Sequence, residues 1–90
     1  MTAHALARLR DDIRGIDDEL LRLITRRLDV AREVADVKRA AGLPVLDPGR
    51  EAAVVRHAGE FARRNGLEEE DVRALFWTLV GLTRRAELSG

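Results

Sequence analysis

The sequence predicts an all-α protein of three helices, of which the first is very long. Apolar residues recur at alternating steps of three and four from residue 6 to residue 41, which is the spacing of a packed or coiled helix. Turn-forming residues then interrupt the chain between Gly42 and Pro48 and again at Asn65-Gly66. No segment alternates apolar and polar residues as a half-buried strand does, so three helices of about 36, 18 and 20 residues account for the chain.

The first helix is predicted from Leu6 to Ala41, after a frayed lead-in at Met1–Ala5. Its apolar positions form a seam that one arginine interrupts, because the slot after Leu23 holds Arg27. A guanidinium on an apolar stripe costs several kcal/mol unless an anionic group meets it. The apolar seam consists of Leu6, Leu9, Ile13, Ile16, Leu20, Leu23, Val30, Val34, Val37 and Ala41.

The length of this helix predicts that the chain pairs with a second copy. At 1.5 Å per residue the helix would be roughly 54 Å long. That exceeds the diameter of a compact domain of 90 residues, and the rest of the chain is too short to cover it. We therefore expect one domain over residues 1–90 that forms a symmetric homodimer.

Two shorter helices follow the first. Gly42 is a typical C-terminal stop, and Asp47 and Pro48 are typical of an N-cap and a first helical position. The second helix ends at Asn65-Gly66, and the third begins in the acidic turn of residues 68–71 and continues toward Leu88. The predicted buried residues are Val54, Val55, Ala58, Phe61 and Ala62 in the second helix, and Val72, Leu75, Phe76, Leu79 and Val80 in the third.

Composition excludes several classes of function. There is no cysteine, and His4 and His57 stand among small and polar residues, so neither a disulfide framework nor a metal site is expected. Sixteen basic and sixteen acidic residues balance to a formal charge of zero, which argues against nucleic acid as a partner. The sequence has no signal peptide and no apolar run of membrane-spanning length, so we expect a cytoplasmic protein without a membrane partner.

Three basic residues of the first helix are candidates for binding a small anion. Arg27 and Lys38 are eleven residues apart, so they differ by about 20° around the helix and lie about 16 Å apart along it. Arg10 lies seventeen residues before Arg27, and it could join the same site only from a second subunit that runs antiparallel. By itself, Arg10 is equally well explained as a solvated charge.

Polar residues of the other two helices complete the candidate site. Asp47, Arg50 and Glu51 stand at the start of the second helix, where helix capping is the simplest explanation for Asp47. Thr83 and Glu87 continue the apolar stripe of the third helix, although a threonine often bonds to its own helix and Glu87 lies near the chain end. Cations, a hydroxyl and carboxyls that converge in this way predict a pocket for a small dianion with hydroxyl groups.

The same residues resemble the all-helical chorismate mutase family, which is also called the AroQ type. The motifs are L-R-D-D-I at residues 9–13, R-R-L at 26–28 with Lys38, and L-P-V-L-D-P-G-R-E at 43–51. The resemblance implies an intertwined homodimer of three-helix chains in aromatic amino acid biosynthesis. It also implies the Claisen rearrangement of chorismate to prephenate, which needs no cofactor, no metal and no nucleophile.

The resemblance assigns catalytic roles to three residues. Arg27 would pair with a carboxylate of chorismate. Lys38 would contact a carboxylate and the ether oxygen, where negative charge develops as the C–O bond breaks. Glu87 stands where relatives often have glutamine and would donate a hydrogen bond to the same oxygen. Only its protonated form can donate.

Five further residues acquire binding roles from the same resemblance. Arg10 would reach the second carboxylate from the partner subunit. Glu51, with the backbone near Asp47, would hold the ring hydroxyl. Arg50 would support the loop and neighbouring carboxylates, and Thr83 would bind the ring carboxylate.

Several alternatives stay open at this point. Relatives on the same scaffold act as isochorismate-pyruvate lyases or as 4-amino-4-deoxychorismate mutases, and their cationic pockets would look alike. A non-catalytic helical dimerisation module is the alternative from a different class, although it predicts apolar residues where Arg27, Glu51 and Glu87 stand. The sequence also leaves open whether a partner enzyme activates the protein.

Overall fold

Three α-helices make up the part of the chain that a computed structural model describes, residues 1–89. They are α1 (Thr2–Ala40), α2 (Pro48–Arg64) and α3 (Glu69–Leu88), and no strand occurs among the described residues. This confirms the all-α prediction with a very long first helix. The single-domain prediction extends to Gly90, which lies outside the described residues. Within residues 1–89, no helix is both long enough and apolar enough to cross a membrane.

The chain divides into two compact units, of which the first is Met1–Val30. This unit is the larger part of α1, and its apolar seam is exposed within the chain. Leu9, Ile13, Ile16 and Leu23 are each between 53% and 58% exposed. A stripe of this length without a cover inside the chain is typical of a surface that pairs with another molecule.

Helix α1 begins earlier than predicted. The lead-in Met1–Ala5 was expected to be frayed, but the helix starts at Thr2, and the amide of Ala5 donates to the carbonyl of Met1 at 3.0 Å. Ala3, Ala5 and Leu6 have high helix propensity and nothing in this segment breaks the helix, which explains the error. The other end, at Ala40, is one residue from the predicted one.

The second unit starts at Ala31 and contains the end of α1 together with α2 and α3. Ala35 on α1 is fully buried. Gly42 then ends the helix in the left-handed region, with φ of 72°. The amide of Leu43 donates to the carbonyl of Lys38 at 2.8 Å, and that of Gly42 donates to Arg39 at 3.1 Å. This left-handed cap turns the chain out of the helix and into the loop that precedes α2.

Small residues let α2 and α3 pack closely against each other. Ala58, Gly59 and Ala62 are buried on α2, and a Cβ atom at Gly59 would lie 2.6 Å from Nε of Arg73 on α3. The larger apolar residues lie at the margin of this contact. Phe61 is 50% exposed and Leu75 is 66% exposed within the chain, so the prediction that both are buried is wrong for the single chain.

The boundaries of α2 and α3 follow the predicted signals. Asp47 caps α2 through a 3.0 Å hydrogen bond that its Oδ1 accepts from the amide of Arg50. The helix ends before Asn65, and Gly66 has a φ of 73°, a conformation that favours glycine. α3 starts with an acidic first turn, whose carboxylates interact favourably with the positive end of the helix dipole.

One ion pair joins α2 to α3 through both arms of a guanidinium. Nε and Nη2 of Arg84 donate to the two carboxylate oxygens of Glu51 at 2.7 and 2.6 Å. These hydrogen bonds, and the positive charge of Arg84, lower the pKa of Glu51 from its ordinary value of 4.5, while burial and the charge of Asp47 oppose the shift. The two residues are 33 positions apart, so the pair exists only in the folded chain.

We predict that this ion pair makes the free energy of unfolding depend on pH. Because the folded-state pKa of Glu51 lies below its unfolded value, the contribution is complete above pH 4.5 and is lost as pH falls through the folded-state value. The measurement is a double-mutant cycle by urea unfolding with Glu51→Gln, Arg84→Gln and both together. Coupling between the two positions is expected at neutral pH and should vanish in acid. Equal coupling at both pH values would contradict the assignment.

Candidate active site

The loop that returns the chain from α1 to α2 is held by Lys38. The Nζ atom of this half-buried residue donates to the carbonyl of Val45 at 3.2 Å. Val45 and Leu46 are also half-buried, so the loop lies against the protein rather than in solvent. The contact places the Lys38 ammonium next to the segment that leads into Asp47. An ammonium has three donors, so two of them remain for a ligand or for water.

The first turn of α2 supplies the acidic part of the candidate site. Asp47 caps α2, as the sequence indicated, and Arg50 is exposed. The Glu51 side chain is 14% exposed and is directed at α3, where it meets Arg84. Helix geometry separates these roles, because residues at i, i+3 and i+4 share a side of the helix but differ in how far they face the neighbour.

The last turns of α3 supply the remaining predicted residues. The hydroxyl of Thr83 donates to the carbonyl of Leu79 at 2.7 Å, the back-bond that is common for a threonine within a helix. Glu87 is half-buried one turn further on. Its backbone carbonyl accepts a hydrogen bond from Nη2 of Arg39, which also contacts Asp36 at 3.4 Å through Nη1. Arg39 thereby ties the end of α1 to the end of α3.

Three contacts thus bring three chain segments together within the second unit. Lys38 holds the loop, Glu51 and Arg84 join α2 to α3, and Arg39 joins α1 to α3. Six of the predicted site residues lie on these segments: Lys38, Asp47, Arg50, Glu51, Thr83 and Glu87.

Two predicted residues belong to the first unit. Arg10 is exposed and Arg27 is half-buried on α1. Arg27 stands where the apolar seam would continue. Because it is only half-buried, its desolvation penalty is smaller than that of a charge in a dry core. The catalytic and binding roles of all eight residues remain predictions.

Sequence reasoning missed Arg84 and Arg39. Arg84 follows Val80 by four residues, so it stands on the buried stripe of α3 just as Arg27 stands on the seam of α1. The argument that singled out Arg27 applies to Arg84 as well. Arg39 offers no comparable signal, because it lies among other charges near the end of α1 and its partner is a backbone carbonyl.

The electrostatics around Glu51 favour a ligand group that is uncharged and donates a hydrogen bond to the Glu51 carboxylate. The lowered pKa keeps this carboxyl ionised at neutral pH. An ionised carboxylate only accepts, and its two oxygens have about four lone-pair positions, of which Arg84 uses two. A hydroxyl group of a ligand could occupy one of the others without displacing Arg84.

Comparison with known proteins agrees with the motifs in the sequence. A family model described as chorismate mutase type II matches residues 9–88. The 4-amino-4-deoxychorismate mutase of Streptomyces venezuelae is 32% identical over 82 residues, which are 91% of this chain and 80% of that protein. The chorismate mutase of Methanocaldococcus jannaschii is 31% identical over 75 residues, which are 83% of this chain and 76% of that protein.

Other relatives are much longer than this chain. The 3-dehydroquinate dehydratase of Pyrobaculum aerophilum is 43% identical over 56 residues, which are 62% of this chain and 19% of that protein. No solved structure matches the sequence. The family model nevertheless covers all but the two ends of the chain and includes every predicted site residue. The chain belongs to the chorismate mutase type II family.

Proposed function

We propose that this protein is a chorismate mutase that converts chorismate to prephenate. The observation that carries the proposal is the family match over residues 9–88, which includes Lys38, Glu51 and Glu87. It is supported by the contacts of Lys38 with the Val45 carbonyl, of Glu51 with Arg84, and of the Glu87 carbonyl with Arg39. Chorismate is a dianion with a ring hydroxyl, and these residues offer a cation, a hydroxyl acceptor and a second carboxyl. No cofactor or metal takes part in the proposed reaction.

The rearrangement is intramolecular, so the protein acts by selecting a conformer and by stabilising charge. Arg27, and Arg10 of a second subunit, would hold the two carboxylates of the compact chair conformer. Lys38 would donate to the ether oxygen, whose negative charge grows as the C–O bond breaks. One such donor is typically worth about 3 kcal/mol, or about a hundredfold in rate.

Thr83 would have to change its hydrogen-bond partner when substrate binds, whereas Lys38 and Glu51 would not. The Thr83 hydroxyl donates to Leu79 in the free chain, so it must rotate before it can donate to the ring carboxylate. Lys38 can keep Val45 and use another of its three donors. Glu51 can accept the ring hydroxyl while it stays paired with Arg84.

The homodimer is part of the proposal. Its support is the exposed apolar seam of α1, which includes Leu9, Ile13, Ile16 and Leu20. These residues need a cover, and a second copy of the same helix supplies a matching stripe. An antiparallel arrangement would bring Arg10 of one subunit toward Arg27 and Lys38 of the other.

A 4-amino-4-deoxychorismate mutase is the second candidate function. The observation in its favour is the Streptomyces venezuelae relative, whose identity and coverage are slightly higher than those of the chorismate mutase relative. Isochorismate-pyruvate lyase activity remains a further alternative on the same scaffold. A non-catalytic dimerisation module is the alternative if no substrate reacts, unless a partner enzyme is needed for activity.

The first prediction tests the reaction itself. Purified protein is incubated separately with chorismate, isochorismate and 4-amino-4-deoxychorismate, and products are identified by chromatography. We expect prephenate from chorismate at the highest kcat/KM. Arg27→Ala should fold normally by circular dichroism and lose at least about a hundredfold in activity, because it removes a carboxylate partner. Wild-type turnover by this variant would refute the assignment of the pocket.

The second prediction tests the contribution of Arg10 across a dimer. Arg10→Ala and Arg27→Ala should each be inactive, but subunit exchange between them should restore about a quarter of the wild-type activity, because half of the dimers then have one intact site. The matched control is exchange between Arg27→Ala and Lys38→Ala, which the proposal assigns to the site of one and the same chain and which should therefore not complement. Absence of recovery in the first mixture would contradict the exchange of Arg10.

The third prediction concerns Glu87. Protonated, this carboxyl donates to the ether oxygen, whereas ionised it accepts only and repels the developing charge. We therefore expect kcat to fall as pH rises and Glu87→Gln to abolish that fall. The measurement is a pair of pH–rate profiles with chorismate. A flat wild-type profile, or the same profile in both proteins, would remove Glu87 from the mechanism.

A further inference from the structure

We propose that Arg84 determines substrate selectivity by favouring a hydroxyl group over an amino group on the substrate ring position that contacts Glu51. The inference rests on the proposed function, in which Glu51 binds that ring position. Arg84 itself would act as a positioning and selectivity residue. No bond to the reacting atoms is required of it.

The geometry of the ion pair is the first step of the argument. Arg84 donates to both oxygens of Glu51, at 2.7 and 2.6 Å. This bidentate arrangement fixes the orientation of the carboxylate as well as adding binding energy. The Glu51 side chain is 14% exposed and that of Arg84 is 43% exposed. The carboxylate is therefore held in place by a guanidinium that is itself reachable from solvent.

Charge is the second step. Paired with Arg84, Glu51 presents lone pairs but little net negative charge to a ligand. A hydroxyl needs only a lone pair, so it binds without loss. The amine of a 4-amino-4-deoxy substrate is protonated at neutral pH, like other aliphatic amines. Such an ammonium would find the charge of Glu51 already compensated and would meet the like charge of Arg84.

The surrounding charges do not reverse this preference. Asp47 acts electrostatically on Glu51, and Glu87 acts on Arg84. Asp47 accepts from the amide of Arg50, and both carboxyls are unchanged in Arg84→Gln. Lys38, which contacts the loop, is unchanged as well. A difference in selectivity between the two proteins therefore comes from Arg84.

A purely structural role for Arg84 makes a different prediction. A brace between α2 and α3 would affect stability, and it would lower turnover of all substrates by a common factor. Selectivity is a difference between two substrates, so a common factor cancels. The ratio of kcat/KM for the amino substrate to kcat/KM for chorismate is therefore the quantity to measure.

The test compares Arg84→Gln with the wild type at pH 7 on chorismate and on 4-amino-4-deoxychorismate. Loss of the guanidinium leaves Glu51 with an uncompensated charge, so the ratio should rise by at least about tenfold in favour of the amino substrate. The matched control is Arg73→Gln, which removes the guanidinium paired with Glu69 at 3.0 Å elsewhere on α3. Its ratio should equal that of the wild type.

A second measurement needs no variant and covers the case in which Arg84→Gln does not fold. With the wild-type protein, the same ratio is followed as pH rises until the substrate amine becomes neutral. The ratio should increase as the amine loses its proton, because the repulsion by Arg84 disappears. Effects of pH on protein groups that act equally on both substrates cancel in the ratio.

The outcomes separate the inference from the function on which it rests. If the wild type converts chorismate but neither the variant nor high pH raises the ratio, the inference is wrong and the proposed function stands. A large and equal loss with both substrates in Arg84→Gln would fit a structural brace or a ligand for a carboxylate that both substrates share, and it would also overturn the inference. If no substrate reacts, the proposed function itself fails.

Discussion

The ion pair between Glu51 and Arg84 is the interaction on which the candidate site depends. It joins the first turn of α2 to the last turns of α3 through two short hydrogen bonds. Close packing of the two helices through Ala58, Gly59 and Ala62 brings their backbones near enough for this contact. Without it, the carboxylate of Glu51 would not be oriented toward α3.

The site and the scaffold use opposite kinds of residue for a physical reason. Small apolar side chains fill the contact between α2 and α3, where any larger group would force the helices apart. Charged side chains stand at the edge of that contact, where they are partly hydrated and cost less to hold. Lys38, Arg39 and Arg84 each link a different pair of segments. A polar site at the margin of a small core is the result.

The exposed apolar seam of α1 connects the fold to the proposed function. A helix of 39 residues buries little of its apolar surface within a chain of this length. The proposed homodimer would cover this surface and would also bring Arg10 of one subunit to the second carboxylate of the substrate in the other. Assembly and catalysis would then depend on one helix, so changes in the seam would affect both.

The sequence by itself determined the helices and the family. Local signals were sufficient for the Asp47 cap, for the Pro48 start, and for the ends at Gly42 and Gly66, because each acts over a few residues. The motifs around Arg27, Lys38 and Glu51 identified the family. Local reasoning failed at Met1–Ala5, where a run without a helix breaker extended α1.

Only the tertiary structure decided which side chains are buried and which charges meet. Periodicity placed Phe61 and Leu75 on apolar faces, but the small residues between α2 and α3 took the centre of the contact and left both exposed in the chain. Glu51 and Arg84 are 33 positions apart, and Arg39 and Glu87 are 48 apart. Pairings at such separations depend on how helices pack, which no local pattern encodes. The sequence determined which residues could form the site, and the packing of α2 on α3 decided that Glu51 is held by an arginine.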